Sequence, residues 1–384
     1  MKSRIESIDA LRGLVMIIMA LDHIRDFFHF DAFVHDPLNL LYSPVDLFLT
    51  RWITHFCAPT FIFLTGLSAY LYGLKHTKAE LSKFLLIRGV WLIFLELTIV
   101  AFGWFFSFNI HNPILMVIWA IGISMVFLVL MIGLPKPVIL ISGLAIVFLH
   151  NLTDTIKVTD TSFLNDIWII LHVQGHIQLT KGFGLFIFYP VLPYFGLICV
   201  GYVFGQLFRP QFEPRKRKNL LLLIGTSCMV LFIAIRYLFN YIHSPHMYGD
   251  PHPWNYQVAT RYTILSFINC TKYPVSLLFS LMILGPSILF LCFFEGVQNW
   301  FTKILTTIGK VPMFYYILHL YLIHTIAFLT ETPDPHGQMG LMPRFHLWTV
   351  YLIWFGVVGV LYLPCKWYGK YKSSHPEKWW LSYL

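Results

Sequence analysis

Charge is the scarcest commodity in this chain: Asp, Glu, Lys and Arg make up only 12% of its 384 residues, about half the share of an ordinary soluble domain. Hydrophobic residues reach 57%, with 36 Phe, 20 Tyr and 12 Trp, and the mean hydropathy is +0.68. A soluble globule of this length could not cover so much apolar surface with so few charges, so that class is excluded. Cysteine is also sparse. Of six, Cys57, Cys199, Cys228, Cys292 and Cys365 lie in or beside apolar runs and only Cys270 lies in a polar loop. No CxxC or Cys/His zinc spacing occurs, which removes a disulfide framework and a structural zinc. P-loop, GxSxG, HExxH and strand-borne GxGxxG patterns are missing too, so neither a serine hydrolase nor a nucleotide-binding domain is supported. Internal repeats and low-complexity stretches are lacking.

What remains is a polytopic, all-α membrane protein. Segments of about 20 largely apolar residues, long enough to cross the hydrocarbon, fall near 10–29, 47–73, 84–108, 113–134, 136–151, 183–208, 219–241, 273–295, 311–331 and 345–365. That makes about ten spans in one integral membrane domain covering 1–384. The apolar run after the N-terminus holds Asp22 and His23 and no A-x-A site, so it reads as a retained first span rather than a signal peptide. The formal charge of +9 comes from short basic clusters between apolar runs, which is the pattern of topology determinants rather than of a nucleic-acid face. With the N-terminus inside, 19 of the 27 basic residues fall on alternate segments, Arg215–Lys218 among them; Lys157, Lys181, Arg261, Lys272 and Arg344 fall opposite. Both termini are therefore expected in the cytoplasm. The outer loops are rich in His, Asp and Pro: His35, Asp36, Asp154, Asp160, Asp166, His172, His176 and the His243–His252 segment.

Ionisable groups inside spans are costly and are functional candidates by default. The first span is the richest. Arg12 and His23 are eleven positions apart, hence within about 20° on a helix and about 16 Å apart along its axis. Asp9, Arg12, Met16, Met19, His23 and Asp26 form one stripe. Asp22 or Asp26 could fix the tautomer of His23; with Arg25 they could equally form an ion cluster at the outer interface. Arg51 and His55 of the second span are i, i+4 neighbours. Glu96 of the third span needs a partner, for which Arg51 or Arg12 would serve. His319 and His324 are about 140° apart on their helix, which argues against a two-His metal site there; no metal is expected.

Ile8-Asp-Ala-Leu-Arg-Gly…Leu-Asp-His resembles the membrane acyltransferases. Arg12-x10-His23 is similar to a motif of bacterial envelope O-acyltransferases. Other stretches are closer to the heparan-alpha-glucosaminide N-acetyltransferase-like branch: Arg51-Trp-Ile-Thr-His-Phe-Cys-Ala-Pro-Thr-Phe-Ile-Phe-Leu-Thr-Gly66, Arg88-Gly-Val-Trp-Leu, Tyr189-Pro-Val-Leu-Pro-Tyr, Lys272-Tyr-Pro-Val-Ser and Gly309-Lys-Val-Pro-Met-Phe-Tyr-Tyr-Ile-Leu-His319. Lysosomal members of that branch carry a catalytic histidine in an F-x-H-x-x-x-N context, which Phe33-Val-His35-Asp-Pro-Leu-Asn39 matches. Those members have Asn where His23 stands, whereas the envelope enzymes have His.

The resemblance implies an acetyl-CoA-dependent acyltransferase of the bacterial inner membrane, moving an acetyl group from the cytosol to a sugar or small envelope acceptor outside. Its partners would be the bilayer, acyl-CoA and a glycan, with a homodimer as the assembly to consider and no nucleic acid. The expected catalytic set is His23, Asp22, Asp26, His35 and His55, with His23 as base and His35 nearer the acceptor. Arg12, Arg51, Lys83 and Arg88 are the expected donor-binding cations, and the pantetheine arm would follow Met16 and Met19. The competing reading is a secondary transporter or flippase with an intramembrane His/Asp/Arg proton relay; a non-catalytic scaffold would leave the stripe unexplained.

Overall fold

The structure, a computed structural model, describes residues 5–107, 111–156, 163–241, 254–255, 262–330, 345–378 and 380–381. Lys157, Asp160, Arg261, Arg344 and the His243–Pro251 and His252 positions of the sequence reading lie outside them. In chain order the helices are α1 (Glu6–Phe28), α2 (Val45–Thr54), α3 (Cys57–Gly73), α4 (Lys78–Leu95), α5 (Ala101–Phe105), α6 (Val117–Met131) and α7 (Lys136–Leu149). They continue with α8 (Phe163–Leu171), α9 (Val191–Phe204), α10 (Pro214–Tyr241), α11 (Thr263–Ile268), α12 (Leu277–Phe293), α13 (Trp300–Gly309), α14 (Pro312–Leu329) and α15 (Leu347–Ser374).

Local chemistry sets several of these boundaries. Thr77 starts α4 with a reciprocal cap, its backbone N–H donating to Glu80 at 2.7 Å while its hydroxyl accepts from the Glu80 N–H at 3.3 Å. Asn299 and Thr302 do the same for α13. Each cap satisfies amides that the first helical turn leaves open. The second span breaks at His55–Phe56. Pro59 lacks the N–H that would reach the His55 carbonyl four residues back, and its ring crowds that carbonyl.

Among the described residues, seven helical segments are long and apolar enough to cross a membrane: Val45–Gly73, Lys78–Phe105, Lys136–Thr153, Val191–Phe208, Pro214–Leu238, Pro312–Leu329 and Leu347–Ser374. Helices α6 and α12 are apolar but shorter, and α1 carries Glu6, Asp9, Arg12, Asp22, Arg25 and Asp26. On α15, Trp348, Leu352, Phe355, Val360, Leu363 and Trp367 are exposed, as a lipid-facing helix requires. This is a mostly helical, multi-pass membrane protein.

The chain divides into two compact units, each built from discontinuous pieces. The first comprises Met1–Cys57, Ile99–Phe108 and Phe293–Leu384, and α1 lies at its centre against α13, α14, α15 and α2. A Cβ on Gly13 would strike the Leu305 carbonyl, and one on Gly309 the Asp9 carbonyl. Helices α1 and α13 thus meet backbone to backbone, the close approach that small residues permit between membrane helices. Trp354 on α15 donates its indole N–H to the Ile17 carbonyl at 2.8 Å.

The second unit comprises Ala58–Thr98 and Asn109–Cys292. Its main helix pairs are α4 with α6 and α7 with α9. The chain is mostly helical, as expected, and adds one small three-stranded sheet in the order β1-β3-β2: β1 (Ile114–Leu115), β2 (Gly175–Thr180) and β3 (Phe183–Ile187). β2 and β3 are antiparallel across the Lys181–Gly182 turn, and β1 runs parallel to β3. Leu115, Ile169, Ile177 and Ile187 form a small core beneath it. The sixth span, expected to begin at 183, therefore begins at Val191, after Pro190.

Candidate active site

The chemistry expected of the first span sits in the first unit. Helix α1 runs unbroken from Glu6 to Phe28, so the Arg12–His23 stripe is a real helix face. His23 Nδ1 lies 2.7 Å from His319 Nε2 of α14. Their ring planes are within 17° of parallel, with centroids 4.9 Å apart. His319 Nδ1 is 3.1 Å from the Tyr315 carbonyl, which can only accept. Nδ1 of His319 must then carry the proton, and its Nε2 accepts from His23 Nδ1–H. In the neutral pair this puts the His23 lone pair on Nε2. The sequence looked to Asp22 or Asp26 to orient His23; the structure adds a hydrogen bond to a histidine 296 residues away.

Trp104 of α5 packs edge-on against His23, with ring centroids 4.7 Å apart. Its indole N–H is buried and has no hydrogen-bond partner among the described residues. Beside a base, a buried donor with spare capacity suits a carbonyl oxygen that gains negative charge during a reaction. His324, five residues beyond His319, donates from Nδ1 to the Gly103 carbonyl at 3.0 Å and stacks on Phe106 at 3.7 Å. That contact fixes α5, and Trp104 with it, against α14.

Asp22 and Asp26 are engaged by arginines. Arg25 bonds Asp26 and lies 3.1 Å from Asp22, while Arg51 of α2 pairs with Asp22. All four side chains are less than a fifth exposed. Arg51, expected to hold donor phosphate, thus stands next to the His23 end of α1. At the other end, Arg12 donates to Asp9 at 2.8 Å and to the Gly309 carbonyl at 3.2 Å. Met16 and Met19 between them are buried, so the stripe is enclosed by packing rather than laid open.

His35 occupies the connection between α1 and α2. It is 43% exposed, its Nδ1 is 2.9 Å from Asp31, and its ring stacks on Tyr42. The connection is ordered by Asx turns at Asp36 and Asn39 and by the Ser43 hydroxyl on the Asp36 carbonyl at 3.0 Å. His55 is fully buried at the α2–α3 break. Lys83 and Arg88 belong to the second unit: Lys83 is exposed on α4, and the Arg88 guanidinium lies 5.7 Å from the Phe84 ring.

Glu96 requires a correction. The sequence suggests an ion pair with Arg51 or Arg12. The structure instead buries Glu96 in a π-helical turn, Glu96–Val100, where it accepts the Trp119 N–H at 2.9 Å and faces the Ile118 and Met116 amides. It caps α6, whose first amides lack intrahelical acceptors. Sequence reasoning also missed His319 and Trp104 as neighbours of His23. The one usable signal was that a buried histidine needs a polar partner.

A hydrogen-bonded histidine pair beside a buried N–H donor can take up and pass on a proton within a helical membrane protein. Residues 4–243 match the family described as heparan-alpha-glucosaminide N-acetyltransferase, catalytic. The chain belongs to this family of acetyltransferase-type membrane enzymes. No individual curated protein matches it. His23, His35, His55 and Trp104 fall within the matched stretch, and His319 lies beyond it.

Proposed function

We propose that the protein transfers an acetyl group from cytosolic acetyl-CoA to a sugar or other envelope acceptor on the outer side of a bacterial inner membrane. The reading includes ten spans and cytoplasmic termini, with α1, α6 and α12 completing the seven long segments. The His23–His319 bond is the observation that carries it. His23 Nε2 takes the proton of the acceptor hydroxyl or amine as that atom attacks the thioester carbonyl. The Trp104 N–H stabilises the resulting oxyanion. Collapse breaks the C–S bond, and the imidazolium returns the proton to the departing thiolate, giving free CoA and the acetylated acceptor. An acetyl-His23 intermediate would draw on the same lone pair.

Arg12 is assigned to the donor phosphates, as are Lys83 and Arg88 on α4. Arg51 and Arg25 pair with Asp22 and Asp26 beside the histidine. His55 supports the α2–α3 break from its buried place, and His35, exposed and oriented by Asp31, serves the acceptor side.

The test is transfer of radiolabelled acetyl from acetyl-CoA to a panel of envelope sugars by purified protein. His23→Ala should lower turnover by about 10²–10⁴-fold, the usual worth of a positioned base. Near wild-type transfer by His23→Ala, together with complete loss in His35→Ala, would move the chemistry to the loop histidine. Absence of transfer by the wild type to any acceptor, with proton-coupled uptake in vesicles, would favour a transporter.

A further inference from the structure

The second unit contains a polar cluster that acetyl transfer does not use. His150 begins the 3₁₀ turn His150–Thr153 that ends the α7 span, Asp154 follows that turn, and His172 follows α8. One ligand-type atom from each residue can be chosen so that all three lie within 4.8 Å of one another. His150 is 5% and His172 0% exposed. Both ring nitrogens of His150 and Nδ1 of His172 are buried without a hydrogen bond among the described residues; the Val275 backbone approaches His150 but falls short of bonding geometry. Leaving such groups unpaired costs about 1–3 kcal/mol each. A chain that places two such imidazoles beside a carboxylate has built a site for something that accepts lone pairs.

We propose that His150, Asp154 and His172 bind one divalent transition-metal ion of the zinc class, with water in the fourth position. The donor set is right: two imidazoles and one carboxylate are ordinary zinc ligands, and three protein ligands plus water is a common arrangement. Tetrahedral zinc at about 2.0–2.1 Å sets its ligand atoms about 3.3 Å apart, so the cluster needs only small side-chain rotations to close. His172 Nε2 and Asp154 Oδ1, 2.7 Å apart, share a proton that the ion replaces on binding. The carboxylate is already oriented. Asn151, 1% exposed, donates to Asp154 Oδ2 at 3.0 Å and accepts the Leu277 N–H at 2.9 Å, the kind of supporting bond that tunes a ligand. Asp154, 19% exposed, gives the ion a way in. Once bound, the ion clips the end of α7 to the end of α8.

The experiment uses the full-length protein in detergent, purified on a tag without histidine. After chelation and dialysis it is titrated with Co²⁺, then Zn²⁺, with visible absorption, metal content and melting temperature recorded. The wild type should bind one ion per chain, show tetrahedral Co²⁺ bands that zinc abolishes, and melt higher with zinc. Asp154→Asn and His172→Ala should weaken binding at least about 100-fold, and Asn151→Ala about 10–100-fold. The proposal is overturned if the wild type shows no tetrahedral Co²⁺ bands and no melting shift at millimolar zinc. It is equally overturned if Asp154→Asn and the His150→Ala/His172→Ala double variant bind the ion as the wild type does, since the ion then sits on other histidines. Should the double variant fail to fold, the wild-type spectrum and Asp154→Asn still decide.

Discussion

His23 and His319 share one hydrogen bond, 2.7 Å long, joining the helix that carries the family signature to a helix outside the matched stretch. If His319 orients the base, its loss should lower turnover without weakening donor binding. His319→Ala is expected to reduce kcat about 10-fold or more with KM for acetyl-CoA little changed. His319→Gln, whose amide oxygen can still accept from His23 Nδ1–H, should recover part of it. Steady-state kinetics with both variants checks this; a rise in KM at constant kcat would contradict it.

Arg51 and Asp22 form a largely buried ion pair between α2 and α1. Arg25 still stands 3.1 Å from Asp22, so removing one partner leaves a largely buried charge only partly compensated, a loss on the order of 1–3 kcal/mol. Arg51→Met and Asp22→Asn should each lower the melting temperature markedly. The double variant should lose less than the sum of the two, and a strictly additive double-mutant cycle would show that the two side chains do not couple.

Arg12→Ala and Arg88→Ala should each raise KM for acyl-CoA more than they lower kcat. Phosphate contacts stabilise ground and transition states alike. Donor binding is read from the ligand-dependent melting shift, and a wild type that no acyl-CoA stabilises would remove the donor from the scheme.

Gly13→Ala should destabilise the first unit by about 1–3 kcal/mol, the usual result of overpacking a closed contact, because the added methyl meets the Leu305 carbonyl. Gly356, whose Cβ would meet nothing within 4 Å, is the control. Equal melting temperatures for the two alanine variants would refute the tight crossing.

A cysteine at position 216, in the basic start of α10, should resist membrane-impermeant thiol reagents in intact cells. It should react in inside-out vesicles. Labelling from outside would reverse the orientation assigned by the basic residues.

The membrane class and the Arg12–His23 face were legible because apolar runs and helical periodicity are properties of neighbouring residues. The His23–His319 bond was not, since it joins positions almost 300 apart and periodicity carries no information across that separation. Glu96 misled for a different reason. A buried carboxylate suggests a cation, but its partners are backbone amides at the start of α6, which no residue type announces. The β2–β3 hairpin hid inside what reads as the flank of a span. The His150–Asp154–His172 cluster spans a 3₁₀ turn and the end of a separate helix, so no single helix face displays it.

The Arg12 contact with Gly309 has a mechanical implication. Gly309 ends α13, and Lys310 and Val311 lead directly into α14, on which His319 lies about two turns, or roughly 10 Å, from the start. A phosphate bound by the Arg12 guanidinium would compete with the Asp9 carboxylate and the Gly309 carbonyl for the hydrogens on Nη1. Under the proposed function, a donor bound at Arg12 would loosen the joint that leads into the helix carrying His319, so that occupancy at one end of α1 would be felt by the partner of His23 at the other.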